Sequence, residues 1–258
     1  MEFFALLNEE INFENYTLVV PAVSVGNVGQ LACDLLINTL ELNKVGYLRT
    51  SCVLPVVGSN AFCKDDSDNS LTLTLELFID DSKKLAVLQQ RAPLVAGKQK
   101  QYSTDFVSWI NSKEFSEVIL LTSCHAYERT DNEIQNTPVR FLVHPDDKKN
   151  KRELTDKKFL ELQKRLMDSG DKNYFFPGGG FAKNFHDECV TSESNFFSVI
   201  LMIFCSEGDN IPEAVLLANA LNSWKNYMKI SEDNGKTVWS FPASWKHLYG
   251  ARQPLSIF

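Results

Sequence analysis

Apolar positions along the chain form three kinds of run: continuous, alternating and helically spaced. Two runs are nearly continuous. Leu18, Val19, Val20, Ala22 and Val23 follow one another with only Pro21 between them, the pattern of a strand buried on both faces. Proline has no N–H to give to a sheet ladder, which places Pro21 at the strand's end or beside an edge. Gly26 and Gly29 then supply a tight turn, and Leu31, Leu35 and Leu36 recur at helical spacing, with Val28 one turn earlier. Strand, glycine-bearing turn and helix together open an α/β fold. The second continuous run, Phe196–Cys205, reads as another central strand.

The alternating run is Leu71–Leu77, which puts Leu71, Leu73, Leu75 and Leu77 on one face of a half-buried antiparallel strand. Leu85–Leu88 is its expected neighbour across the Asp80–Asp81–Ser82 turn. Shorter strands are expected at Val45–Leu48, Val118–Leu121 and Val139–Val143, and an irregular connection begins at Leu54–Gly58. Helical spacing marks Tyr102–Ser112, with Phe106, Trp109 and Ile110 inward. Between Pro145 and Arg165 a charged lead-in is expected to precede an amphipathic helix carrying Leu154, Phe159, Leu162 and Leu166. After the turn at 206–210, Pro212 and Glu213 suit a helix start. That helix is expected to bury Val215, Leu216, Leu217, Leu221 and Trp224. Trp245, Leu248 and Tyr249 suggest a last short helix. The polar stretch 64–70 reads as a hairpin loop, and Gly178–Gly180 as a mobile one. No repeat and no clean linker divides the 258 residues, so one domain is expected over 1–258, with a charged insert near 146–173 and a tail at 250–258.

Composition narrows the function classes. The hydrophobic fraction of 44% and the charged fraction of 23% are those of a soluble globular protein. A formal net charge of -7 argues against nucleic-acid binding, which needs a basic footprint. The cluster Lys148, Lys149, Lys151, Arg152 is the local exception, read as a solvated insert with a partner surface as the alternative. No two of the six cysteines lie within four residues, so zinc-type pairs are absent from the sequence. The first ten residues lack a positive leader and no apolar run is long enough to cross a bilayer, so reduced thiols in a soluble intracellular protein are expected.

Enzyme signatures mostly fail. There is no Gly-x-Ser-x-Gly elbow and no His-Glu-x-x-His, and the four histidines are far apart in the sequence. Ser123-Cys124-His125 offers a thiol and an imidazole after a strand, but neighbouring residues of an extended chain point to opposite sides. Gly26-x-x-Gly29 lacks the spacing and the Lys-Ser/Thr ending of a phosphate loop. Gly178–Gly180 could expose amides to a phosphate, yet Lys183 has neither the required spacing nor a Ser/Thr neighbour. The polar 64–70 loop lacks the glycine and distal glutamate of a calcium loop. No catalytic residue, metal ligand or cofactor site is assigned.

Several ordered segments carry a family resemblance. Pro21-Ala22-Val23-Ser24-Val25-Gly26-Asn27-Val28-Gly29-Gln30-Leu31-Ala32 resembles the N-terminal signature of the proteasome assembly chaperone 2 family. Asn136–Arg140, Pro177–Gly180, Ser206–Ala214 and Pro242–Trp245 are similar to family segments in the same order, while the acidic loop and the 146–173 region match poorly. The resemblance implies one three-layer α/β/α domain with a central mixed sheet, of nucleoside-phosphorylase-like architecture without the catalytic equipment. It implies a non-enzymatic chaperone that pairs with proteasome assembly chaperone 1 as a heterodimer. The pair would promote assembly of the 20S proteasome α-subunit ring, prevent off-pathway α-ring dimers, and act in the cytoplasm and nucleus. The rival reading is a phosphate- or nucleoside-handling enzyme using Gly26, Gly29 and Gly178–Gly180; a shared fold does not by itself carry an activity. Assembly factors in related families dock C-terminal tails that end hydrophobic-Tyr-any residue between α subunits. This chain has Ile257 in place of the tyrosine, which leaves Leu255, Ile257 and Phe258 as apolar partner-binding candidates, with a purely structural tail packed back on the core as the alternative.

Overall fold

Both continuous apolar runs lie at the centre of a nine-stranded mixed sheet. The structure is a computed structural model that describes residues 1–6, 11–63, 70–134, 137–145, 148–167, 170–192, 194–229 and 238–247. In chain order its elements begin β1 (Glu2–Ala5), β2 (Thr17–Pro21), α1 (Val28–Thr39), β3 (Asn43–Arg49), β4 (Val57–Ser59), β5 (Leu71–Leu73), β6 (Leu75–Asp80), β7 (Leu85–Gln90) and α2 (Gln99–Ser112). They continue with β8 (Glu117–His125), α3 (Asp131–Ile134), β9 (Val139–His144), α4 (Lys148–Asp156), β10 (Leu160–Glu161), β11 (Arg165–Leu166) and β12 (Lys172–Asn173). The last are α5 (Ala182–Thr191), β13 (Phe197–Cys205) and α6 (Ile211–Lys225), followed by a 3-10 turn at Ala243–His247.

The main sheet runs β1-β3-β6-β7-β2-β8-β13-β9-β10. β7, β2, β8 and β13 are parallel neighbours, and β1, β3, β6 and β9 supply the antiparallel pairings. Alternate side chains of the central strands enter two different cores, the two-residue period expected of a strand covered on both faces. Leu18, Val20, Val118 and Leu120 pack toward α2 and α5, against Phe106, Phe181 and Phe185. Val19, Ile119, Leu121 and Val199 pack toward α1 and α6, against Leu35, Leu36, Leu217 and Leu221. This is the three-layer α/β/α architecture with a mixed sheet. Each fully buried side chain of this size contributes about 1.5–3 kcal/mol, so the two cores carry most of the stability. Pro21 closes β2 opposite Leu121, and the next N–H, from Ala22, returns to the ladder by donating to the Leu121 carbonyl at 2.8 Å.

Four local expectations are corrected. The alternating run is two strands, because the chain turns at Thr74, whose hydroxyl accepts from Val56 N–H at 2.8 Å. β5 therefore pairs with β4 outside the main sheet, and Leu71 is exposed. β6 is buried on both faces: Glu76 points inward and is held by Lys44 at 3.1 Å and by Leu73 N–H at 3.2 Å. Second, the charged run is itself the helix. α4 buries only Leu154 and ends where Lys158 takes a positive φ of 65°; Phe159 and Leu162 are buried from the extended chain beyond it, and Leu166 is exposed. Third, Leu216 faces outward on α6, while Ala214, Ala218 and Leu217 carry the contact. Fourth, the glycine run at 178–180 is a packed turn: the Gly178 carbonyl accepts from Val25 N–H in the turn after β2, and the preceding Pro177 carbonyl accepts from His125 N–H at the end of β8.

Candidate functional site

In an open α/β sheet, ligands collect beyond the carboxyl ends of parallel strands, where helix N-termini and turns converge. In this chain that position lies beyond β2, β8 and β13, and every glycine singled out in the sequence gathers there. The turn after β2 reaches α1 through Gly26 at φ 63° and Asn27 at φ 53°. Its Ser24 hydroxyl lies 2.8 Å from that of Ser123 on β8 and accepts the Ser123 N–H at 3.1 Å. The Ser123 hydroxyl in turn donates to the Val25 carbonyl. The Gly178–Gly180 turn closes the remaining side. Val25 N–H donates to the Gly178 carbonyl at 3.0 Å, His125 N–H to the Pro177 carbonyl at 3.0 Å, and the Thr122 hydroxyl to the Gly179 carbonyl at 3.0 Å.

The glycines make room for the protein's own atoms. A Cβ on Gly26 would stand 2.4 Å from the Asn210 side chain, and one on Gly180 2.4 Å from the Val23 carbonyl oxygen. A Cβ on Gly178 would meet Val25 at 2.7 Å and the His125 ring at 2.9 Å. A phosphate loop offers free amides to its ligand. Here the turn carbonyls accept and the space above them is occupied by side chains. A cavity beside it, about 150 Å³ between Val23, Pro93, Gln99 and Phe181, is about half the lower size of an ordinary small-molecule site.

The Cys124–His125 pair does not form a nucleophile and base. Cys124 is fully buried in the core toward α2 and α5, and burial pushes its thiol well above the ordinary cysteine range. A buried thiol stays protonated and inert. The His125 ring instead stacks on the exposed Tyr127 ring at 4.8 Å. The structure does bring together two histidines that are distant in sequence: His144 on β9 and His186 on α5 lie edge-on with ring centroids 6.2 Å apart. Burial lowers both, and it outweighs Asp187 to push His186 down to about 4. Among the described residues no group of three His, Cys, Asp or Glu is arranged to hold a metal ion, and no helix is long and apolar enough to cross a membrane.

What the chain leaves open is surface. A groove of about 400 Å³ runs beside the edge strand β1, lined by Phe4, Tyr47, Leu48, Val53, Val56 and Leu75. Exposed Leu54, Val57 and Leu71 lie on the segments around it. The predicted partner residues Leu255, Ile257 and Phe258 lie outside the described residues. The segment leading toward them, 238–247, is strapped across α1 and α6. Asn38 donates to the Ser240 carbonyl at 2.8 Å, Trp239 donates to Asn219 at 2.8 Å, and Trp245 donates to Asp34 at 3.4 Å. Asp34 is buried and also pairs with Arg91 at 2.7 Å. Sequence reasoning passed over Asp34 and Asn38; their four-residue spacing amid the apolar positions of α1 was the available signal.

A family model described as the PAC2 family matches residues 18–218, from β2 into α6, and so includes the whole glycine crevice. The chain belongs to the PAC2 family. Full-length PAC2 relatives extend the match. The chain is 40% identical over 262 residues to proteasome assembly chaperone 2 of Xenopus tropicalis, covering 99% of this chain and 100% of the relative. It is 38% identical to proteasome assembly chaperone 2 of Danio rerio, covering 96% of each. The fold is also that of Pyrococcus furiosus PbaA, an archaeal homolog of proteasome-assembly chaperone, with a TM-score of 0.65 at 15% identity over 89% of this chain and 88% of that one.

Proposed function

We propose that this chain is a non-enzymatic assembly chaperone of the 20S proteasome, working as a heterodimer with proteasome assembly chaperone 1. The pair promotes formation of the α-subunit ring and prevents off-pathway α-ring dimers, in the cytoplasm and nucleus. The observation that carries the reading is the end-to-end similarity to relatives named proteasome assembly chaperone 2, at 40% identity over the full length of the Xenopus tropicalis protein. Fold likeness alone would not carry this reading. The filled crevice is consistent with work done by surfaces: the glycine loops pack on protein atoms, and Cys124 is buried.

In this reading the apolar groove at β1 and the exposed Val57 and Leu71 meet protein partners, and Leu255, Ile257 and Phe258 add apolar contact with the α subunits. Co-expression with proteasome assembly chaperone 1 tests the heterodimer. A one-to-one complex by light scattering is expected, and a well-behaved monomer indifferent to the partner contradicts it. The rival phosphate or nucleoside reading is tested by thermal shift, because a ligand bound only to the native state raises the melting temperature. No shift is expected with nucleosides or phosphate.

A further inference from the structure

The basic stretch left unassigned by the sequence becomes a defined surface in the structure. Eight of the chain's 26 Lys and Arg lie between 148 and 165, against three of its 33 acidic residues. Asp146 and Asp147, just before α4, lie outside the described residues. α4 turns its one buried residue, Leu154, to the core and leaves Lys148, Lys149 and Arg152 exposed. Residues three and four apart share a helix face, so Lys148 and Arg152 project together. Lys157 and Lys158 extend the cationic surface past the helix end, and both are exposed. Lys151 is engaged with Glu161 of the edge strand β10 at 2.6 Å. Beyond β10, Arg165 anchors the short β11–β12 ribbon by bonding Glu133 at 2.7 Å and the Glu128 carbonyl at 2.7 Å. Beside these anchors sit Leu166 and Ile134, 71% and 56% exposed.

We infer that α4 with the turn after it docks an acidic face of a protein partner. The inference rests on the assembly-chaperone reading for the identity of that partner class, the proteasome α subunits. Charge complementarity selects the occupant. A chain with a net charge of -7 that concentrates cations on one face attracts an acidic surface there and repels it elsewhere, which fixes orientation and speeds encounter. A two-fold pairing of this face with a second copy would set basic against basic. A nucleic acid is disfavoured by the acidic remainder of the chain.

The test uses the full chain in complex with its partner chaperone, carrying Lys148→Glu, Arg152→Glu and Lys157→Glu. All three side chains are exposed, so the melting temperature should hold; Lys100→Glu on α2, across the sheet, controls for the effect of a single charge reversal away from this face. Association with purified α subunits should slow about tenfold at roughly 50 mM salt, and the difference should close as salt rises toward ~0.5 M. Equal association rates for wild type and triple variant overturn the inference while leaving the assembly reading intact. Failure of the wild-type complex to bind any α subunit overturns both. Tighter wild-type binding to polyuridine RNA or to phosphatidylserine vesicles than to α subunits, lost in the triple variant, reassigns the face to a polyanion.

Discussion

Gly29 packs directly on the carbonyl oxygen of Leu121: a Cβ at that position would stand 2.4 Å away, on a backbone atom of a central strand. α1 thus lies against β8 at a distance only glycine permits, and the crevice turn is drawn in with it. Gly29→Ala is expected to destabilise the fold by about 1–3 kcal/mol, overpacking outweighing the helix propensity that alanine returns. Gly58, where an added Cβ would meet nothing within 4 Å, is the matched control, and Gly58→Ala should be near neutral. Urea midpoints of the two variants decide this; equal midpoints would show that the close approach carries no weight.

Asp34 holds the last described segment to the body. Its carboxylate accepts from Gln89 at 2.6 Å and from Arg91 at 2.8 Å, and Trp245 reaches it at 3.4 Å. Asp34→Ala leaves Arg91 facing the interior without its anion and removes the acceptor for Trp245. Breaking such a buried pair costs roughly 3–5 kcal/mol, less here because the Arg91 side chain is 18% exposed. Hydrogen exchange should quicken at 238–247 in this variant. Unchanged protection there would mean that Asn38 and Asn219 hold the strap unaided.

His186 gives the fold a pH dependence with a definite sign. Burial, acting against Asp187, pushes its pKa down to about 4 from the ordinary 6.5, so between those values the unfolded chain binds the proton and the native chain does not. Its contribution is complete above pH 6.5 and is lost as pH falls toward 4. Stability should drop by about 1–2 kcal/mol between pH 7 and 5 from this group alone. His186→Phe should flatten that part of the profile, and a profile unchanged by the substitution would contradict the assignment.

The sheet's centre was legible because burial on both faces writes itself as continuous apolar runs, as at Leu18–Val23 and Phe196–Cys205. The break at Thr74 was not, because the alternation of leucines persists across it and only the hydroxyl's bond to Val56 N–H shows where the chain turns. α4 misled for a related reason: a helix that buries only Leu154 has no apolar stripe, so its charged residues looked like a lead-in. The glycines of the crevice were visible individually, but a sequence does not show that Gly26 faces Asn210 or that Gly178 faces His125. Surfaces are the least legible part, since exposed Val57, Leu71 and Leu166 differ from core residues only in where the fold puts them.

Cys124→Ala and His125→Ala should both leave assembly activity intact. Cys124 is a buried packing residue and the His125 ring is engaged by Tyr127, so neither is placed for chemistry. The thiol variant should cost about 1 kcal/mol of stability from lost packing. Loss of assembly with folding and partner binding preserved would reopen the enzyme reading.

The proposed role, promotion of α-ring assembly through surfaces rather than catalysis, makes a claim about which α-subunit assemblies form. The most direct measurement is native mass spectrometry of purified α subunits combined with proteasome assembly chaperone 1, with and without this chain. More single seven-membered rings, fewer ring dimers and a bound one-to-one chaperone pair are expected when the chain is present. An unchanged distribution of rings and ring dimers, with the chain folded and in excess, would contradict it.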